Sequence, residues 1–336
     1  MIDIKWKRDV EVIAREWLVK VKNFFNEPHN PWVELGEHRK YFKSYEGKLK
    51  YQCLRLVFSD YKNKRIKKAC VKKLDYWWSH LDEIILATPD TMKDKVDKWN
   101  KKKNGGEAKL LEILKPVLIS YYDLLSSKFG HWLVDRLSIK TCPYCNRQFI
   151  FSYEALRAER PELDHFHPKS TYPLLCLSFF NLIPVCHSCN HVKLEDPIGV
   201  NPYKRSFQRK FTITDKDGNP LSKSEIYNLT EVDEIKLAFA GKDADEDMNV
   251  RVLGIEDVYN KHTDYVRELI NKSMAYDNYA RQALVTTYEG AGLHPQQVFD
   301  FVWGRHLADT EYEDRPLSKL TEDVLDLLNI RKSKVK

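Results

Sequence analysis

Cys142-Pro143-Tyr144-Cys145 and Cys186-His187-Ser188-Cys189 are two cysteine pairs of identical spacing, separated by residues 146–185. Each Cys-x-x-Cys turn offers two thiolates from one knuckle, and two such knuckles complete the tetrahedron that zinc prefers. A closed set of four leaves no open position, so the expected ion is structural. A thioredoxin-like redox reading needs one pair and leaves the other unexplained. Zinc sites of this kind contribute about 10–16 kcal/mol in small metal domains, enough to fold a segment poor in apolar surface. The remaining cysteines, Cys53, Cys70 and Cys176, sit singly in apolar stretches and read as small buried hydrophobes.

Between the knuckles runs Glu162-Leu163-Asp164-His165-Phe166-His167-Pro168-Lys169-Ser170, then Asn181-Leu182-Ile183-Pro184-Val185. Asn190-His191-Val192-Lys193 follows the last cysteine directly. An Asp beside a His at a strand end places a hard oxygen ligand next to an imidazole. Asn190 falls where a short helix should begin, with Lys193 one turn further on the same face. Asp and Asn oxygens suit Mg²⁺, a near-neutral His suits proton removal from water, and Lys193 supplies a point charge for phosphate. Together these are the parts of metal-assisted phosphodiester hydrolysis.

At these positions the chain resembles the HNH, or ββα-metal, endonucleases. The match runs through Cys142, Cys145, Asp164, His165, Phe166, Pro168, Asn181, Cys186, Cys189, Asn190 and Lys193. The resemblance implies that His165 is the general base and that Asp164 and Asn190 hold one catalytic Mg²⁺ or Mn²⁺. It further implies that Asn181 braces the loop orienting His165, and that the zinc cysteines staple two strands to a helix. Many members of the family carry His where Asn190 stands. The Asp164-His165-Phe166-x-Pro168-Lys169-Ser170 run and the segment through Asn201-Pro202-Tyr203 look more loosely like HNH effectors of Septu-type anti-phage systems, which act with an ATPase partner. This chain has no Gly-x-x-x-x-Gly-Lys-Ser/Thr loop of its own, so nucleotide hydrolysis would come from another protein. Duplex DNA is the family's usual substrate and the expected one here. The competing reading is a non-catalytic zinc ribbon that binds nucleic acid or protein; it leaves Asp164, His165, Asn181 and Asn190 as coincidence.

Working outward, 336 residues suggest two or three domains, and 43% hydrophobic with 31% charged residues describes a globular chain. The expected fold class is α+β: helical accessory domains around a small zinc-stapled ββα-metal module. The expected parts are a basic helical domain over 1–135, the module over 136–205 and a carboxy-terminal domain over 206–336. No apolar run reaches the length of a membrane span and the amino terminus lacks a secretory signal, so a cytoplasmic protein is expected. Residues 1–130 carry 28 Lys/Arg against 18 Asp/Glu, a balance that suits a polyanionic partner.

Val10, Ile13, Ala14, Trp17, Leu18, Val21, Phe24 and Phe25 recur at helical spacing. Pro28 and Pro31 then interrupt the pattern. Ile66, Cys70, Leu74, Trp77 and Leu81 suggest a second helix, Thr88-Pro89-Asp90 a helix start, and Leu110 to Leu125 a long buried helix. Strands are expected at 149–151, 181–185 and 211–214, with a turn at Asp217-Gly218-Asn219-Pro220. Val258 to Ile270 reads as one helix, and 295–303 and 317–328 as two more.

Arg147, just past the first knuckle, is a candidate phosphate contact; the bland alternative is a solvated residue. His167, two residues beyond His165 on a strand, would point the same way; His187 and His191 read as knuckle and helix-surface residues, with a substrate contact the alternative for His191. The lysines from Lys62 to Lys73 could hold a nucleic-acid backbone or simply solvate a helix face. Trp77-Trp78 reads as packing.

Overall fold

The computed structural model describes residues 2, 4, 9–26, 79–101, 106–153, 159–276, 278–292, 295–304 and 309–330. The Lys62–Lys73 cluster, the Trp77-Trp78 pair, Pro28 and Pro31 lie outside the described residues, as does the 66–81 helix pattern except for Leu81. Among the described residues the protein is mainly helical, with two small two-stranded sheets.

Helix α1 (Val10–Asn26) forms where the apolar spacing of three and four predicts it. The Asp9 carboxylate accepts from the Val12 amide at 3.1 Å and so serves one of the otherwise unpaired first-turn donors. Val10, Ile13, Ala14, Trp17, Val21 and Phe24 are buried. Short α2 (Leu81–Ile85) and α3 (Pro89–Lys101) lead to α4 (Gly106–Leu137), which carries the expected apolar stretch within a much longer helix. Trp17 stacks on Trp132 of α4, while Phe24 meets Tyr121 and Phe129 edge-on.

This helical layer supports the first sheet. Strands β1 (Glu162–His165) and β2 (Leu182–Val185) pair antiparallel, Glu162 opposite Val185 and His165 opposite Leu182. Asn181, expected to open the second strand, instead closes a 3-10 turn (Phe179–Asn181), because its amide is occupied holding the preceding loop. Cys186 then turns the chain into α5 (His187–Lys193). The indole of Trp17 donates to Leu177 O and Ser178 Oγ to Ile84 O, tying the β1–β2 loop to α1 and α2.

The expected strand at 149–151 is reduced to a single bridge, Thr141 to Phe149. Ile150 is buried there while Phe149 and Phe151 are exposed, and Ile150 N donates to Lys140 O beside the bridge.

In the carboxy-terminal part, β3 (Phe211–Thr214) pairs with β4 (Lys236–Phe239), and α6 (Lys223–Asn228) lies between them in sequence. The turn at 215–220 forms around Asp215, whose carboxylate accepts from the amides of Asp217 and Asn219. Helix α7 (Ala244–Val252) ends before Gly254, whose φ of 57° is left-handed. The single helix expected over 258–270 is two: α8 (Ile255–Tyr259) and α9 (Thr263–Ala275). Asn260 breaks it, its side chain both accepting from Leu237 N and donating to Leu237 O on β4. Helices α10 (Asn278–Gly290), α11 (Pro295–Trp303) and α12 (Ser318–Leu327) complete the described chain.

Helix α12 reaches back to the first knuckle. Asn146, fully buried at φ 50°, donates its amide to Tyr312 O and Arg315 O and accepts from Ser318 Oγ and Lys319 N. Its backbone carbonyl accepts from Leu317 N at 2.6 Å. From the other end of the chain, Ile2 N donates to Pro143 O. The knuckle is thus the point where segments far apart in sequence meet.

Candidate metal centre and its flanking strand

The ligand atoms of Cys142, Cys145, Cys186 and Cys189 lie within 4.8 Å of one another, and all four residues are buried. Among the described residues this is the group of three or more His, Cys, Asp or Glu side chains gathered closely enough to hold an ion. Two backbone amides point at the sulfurs, Arg147 N at Cys145 Sγ and Cys186 N at Cys142 Sγ, each at 3.4 Å. Such donors stabilise thiolates. Hydrogen bonding from the neighbouring thiols holds Cys145 well below its ordinary range. Four buried sulfur donors gathered this closely fit zinc and could hold it as a structural ion.

Strand β1 and helix α5 are clasped to this centre by two parallel sets of contacts. Glu162 and Asp164 share one strand face because side chains alternate. Asp164 accepts from Tyr144 Oη at 2.6 Å and from Lys193 Nζ at 3.2 Å. Lys193 also donates to His165 O at 3.0 Å and is completely buried. Burial raises the Asp164 carboxyl above its ordinary range, although Lys193 and Tyr144 pull the other way. Two residues earlier, Glu162 accepts from His187 Nδ1 at 2.7 Å and from the side-chain amide of Asn190.

His165 sits on the opposite strand face. Its ring packs edge-on to Tyr122 at 4.4 Å, and Nε2 donates to Cys176 O at 3.0 Å, leaving Nδ1 as the bare nitrogen. Burial presses its pKa down to about 3. His167 packs between Phe166 and Tyr172, and burial presses it to about 4. Asn181 is fully buried; its oxygen accepts from His167 N, and its amide donates to His167 O and Leu175 O.

The residues singled out from sequence are therefore brought together in part. Asp164 and Lys193 meet. Asn190 lies against Glu162, and the His165 ring faces α4 rather than α5. Lys193, expected at a phosphate, is instead enclosed as the partner of Asp164. Arg147, likewise expected at a phosphate, donates Nε to His262 Nε2 at 3.0 Å, towards the start of α9. A divalent ion shared between Asp164 and Asn190 does not fit these contacts, because both Asp164 oxygens already accept from protein donors.

Sequence reasoning missed Tyr144, Glu162 and Asn146. Glu162 was legible in principle, since an acidic residue two before Asp164 must share its strand face. Tyr144 and Asn146 carried no signal beyond adjacency to the knuckle. Comparison of the chain with protein-family models, curated proteins and solved structures finds no match. No helix among the described residues is long and apolar enough to cross a membrane.

Proposed function

We propose that the chain is a zinc-organised HNH-type endonuclease that hydrolyses phosphodiester bonds in nucleic acid, with duplex DNA as the expected substrate. The observation that carries the reading is the succession β1, β2, α5: Asp164 and His165 end the first strand, and Asn190 follows the second knuckle directly on the helix. In this reading His165 takes a proton from the attacking water through Nδ1, its bare nitrogen. Asn181 holds the loop over which His165 lies. The reading calls for an exchangeable divalent cation, which Asp164 and Asn190 could hold only if Asp164 releases Tyr144 or Lys193 and Asn190 releases Glu162. To act, the buried imidazole must be opened to water on its Nδ1 side while Nε2 keeps its hydrogen bond to Cys176 O. The proposal extends, on the likeness to Septu-type effectors, to a role in anti-phage defence with an ATPase partner, in the cytoplasm.

A second reading is a non-catalytic zinc module that binds nucleic acid or protein. The burial of His165 and the engagement of Asp164 by Lys193 favour it, and on side-chain contacts alone it accounts for more of what is seen.

Incubation of the purified protein with plasmid and Mg²⁺ or Mn²⁺, with and without EDTA, separates the two. The nuclease reading expects cation-dependent cleavage that His165→Ala abolishes while zinc content and melting temperature are retained. Cleavage undiminished in His165→Ala overturns it. Nucleic-acid binding without cleavage under any of these conditions establishes the second reading.

A further inference from the structure

Both cations expected at a phosphate point elsewhere: Lys193 is enclosed against Asp164, and Arg147 is turned to His262. We propose that the phosphate contact is made by Lys169, and that Asp123 of α4 is the anion it holds until the phosphodiester backbone of a nucleic acid displaces it. The inference deepens the nuclease reading by naming the side chain that seats the backbone on the His165 side of β1. It rests on that reading only for the closeness of the phosphate to His165.

Lys169 and His165 share a neighbour. The His165 ring meets Tyr122 of α4 edge-on at 4.4 Å, and the Lys169 ammonium lies over the same Tyr122 ring, 4.6 Å from its centre. Tyr122 is fixed there, because its hydroxyl donates to Leu163 O of β1 at 3.1 Å. The root of Lys169 is held as firmly. Asn181 grips both backbone groups of His167, and Pro168 O accepts from the amides of Thr171 and Tyr172. The side chain therefore leaves a closed turn with its charge already placed against an aromatic ring, which keeps a lysine in position before its ligand arrives.

The pair it makes is an exchangeable one. Lys169 Nζ meets Asp123 Oδ1 at 3.2 Å, with the two side chains 34% and 60% exposed. An exposed pair contributes little on its own, and an ammonium is a point charge with three donors that takes one anionic oxygen as readily as another. A phosphate oxygen in place of the Asp123 carboxylate gives up that one pair and leaves Tyr122, Asn181 and the turn as they are. Opening the Lys193–Asp164 pair instead strands two buried charges. Most of α4 also falls within residues 1–130, whose 28 Lys/Arg against 18 Asp/Glu attract a polyanion.

Binding, read apart from cleavage, tests the contact. A fluorescein-labelled DNA duplex is titrated with the full-length protein and followed by anisotropy, without added divalent cation, over a series of salt concentrations. Lys169→Gln should weaken binding and flatten the plot of log affinity against log salt by about 0.9, the value of one phosphate contact. Lys169→Arg should keep the parent slope. Asp123→Asn should tighten binding by up to about fivefold, which is what an exposed ion pair is worth. In Lys169→Gln/Asp123→Asn that gain should vanish, whereas a general change of charge would leave it additive. A merely structural pair gives another pattern, since either single variant breaks it and both then shift binding in the same direction. No binding by the parent, a parent slope in Lys169→Gln, or a gain from Asp123→Asn that survives in the double variant overturns the contact. Plasmid cleavage with Mg²⁺ by a Lys169→Gln protein of parent affinity also overturns it, and leaves the nuclease reading standing. Lys169-dependent binding in a protein that cuts under no condition retires the nuclease reading and keeps the contact.

Discussion

The ammonium of Lys193 lies 3.2 Å from the carboxylate of Asp164, with the two side chains 0% and 4% exposed. Two charges taken out of water this completely are held by each other and by Tyr144 Oη and His165 O. Removing one partner of a buried pair strands the other, at a cost of about 3–5 kcal/mol. Lys193→Met is expected to lower the denaturation free energy by that amount in urea. The double variant Lys193→Met/Asp164→Asn, which keeps an acceptor for Tyr144, should recover more than half of it. A single variant with parent stability would mean that Asp164 is neutral in the folded state.

The four cysteine sulfurs bring the two knuckles together across residues 146–185, so with zinc held there the fold of this region is expected to depend on the ion. Cys186→Ser should abolish zinc binding and melt β1, β2 and α5 together. The measurements are metal content by mass spectrometry and amide exchange over residues 160–195. Protection that persists after metal loss would locate the stability in the apolar contacts instead.

Acid should loosen the protein in a defined window. Burial holds His165 at about 3 and His167 at about 4, against an ordinary value of 6.5. Above that value neither form binds the proton, and stability owes nothing to it. Below it the unfolded chain protonates while the folded chain does not. Stability therefore falls as pH drops from 6.5 towards 4, by about 1.4 kcal/mol per pH unit for each histidine. His165→Gln keeps a donor for Cys176 O and should halve the slope contributed by the pair, measured as melting temperature against pH.

Asn146→Ala should be among the most damaging single changes far from either terminus. It leaves Tyr312 O, Arg315 O and Lys319 N without the partner they have now, and puts alanine, which tolerates the left-handed region less well than asparagine, at φ 50°. Losses of about 1–3 kcal/mol accompany each stranded buried group. A drop of about 3 kcal/mol or more is expected, with increased proteolysis of residues 309–330.

Much of the fold was legible because it rests on periodicity and knuckle spacing. Helix α1, strand β3 and helix α11 fall where their apolar patterns place them, and the cysteines meet as their spacing implies. Contacts made across long stretches of chain were not legible. Asn260 splits a continuous helical pattern because β4 offers it a carbonyl and an amide, which no local window contains. The direction of the His165 ring depends on α4 lying beneath β1. Lys193 looks like any surface lysine until the helix that carries it is laid against Asp164. Glu162 was the recoverable omission, since alternation alone sets it beside Asp164.

The way Asn146 is held has a practical bearing on transplantation. Its partners come from residues 312–319, and Tyr259 Oη closes on the Cys145 carbonyl from elsewhere again. A cassette excised at 136–205 would carry all four clustered cysteines yet bare the back of its own first loop to solvent. Grafting this unit onto another scaffold therefore calls for redesign of that surface, or for co-expression of the distal helix as a separate strip that docks in trans.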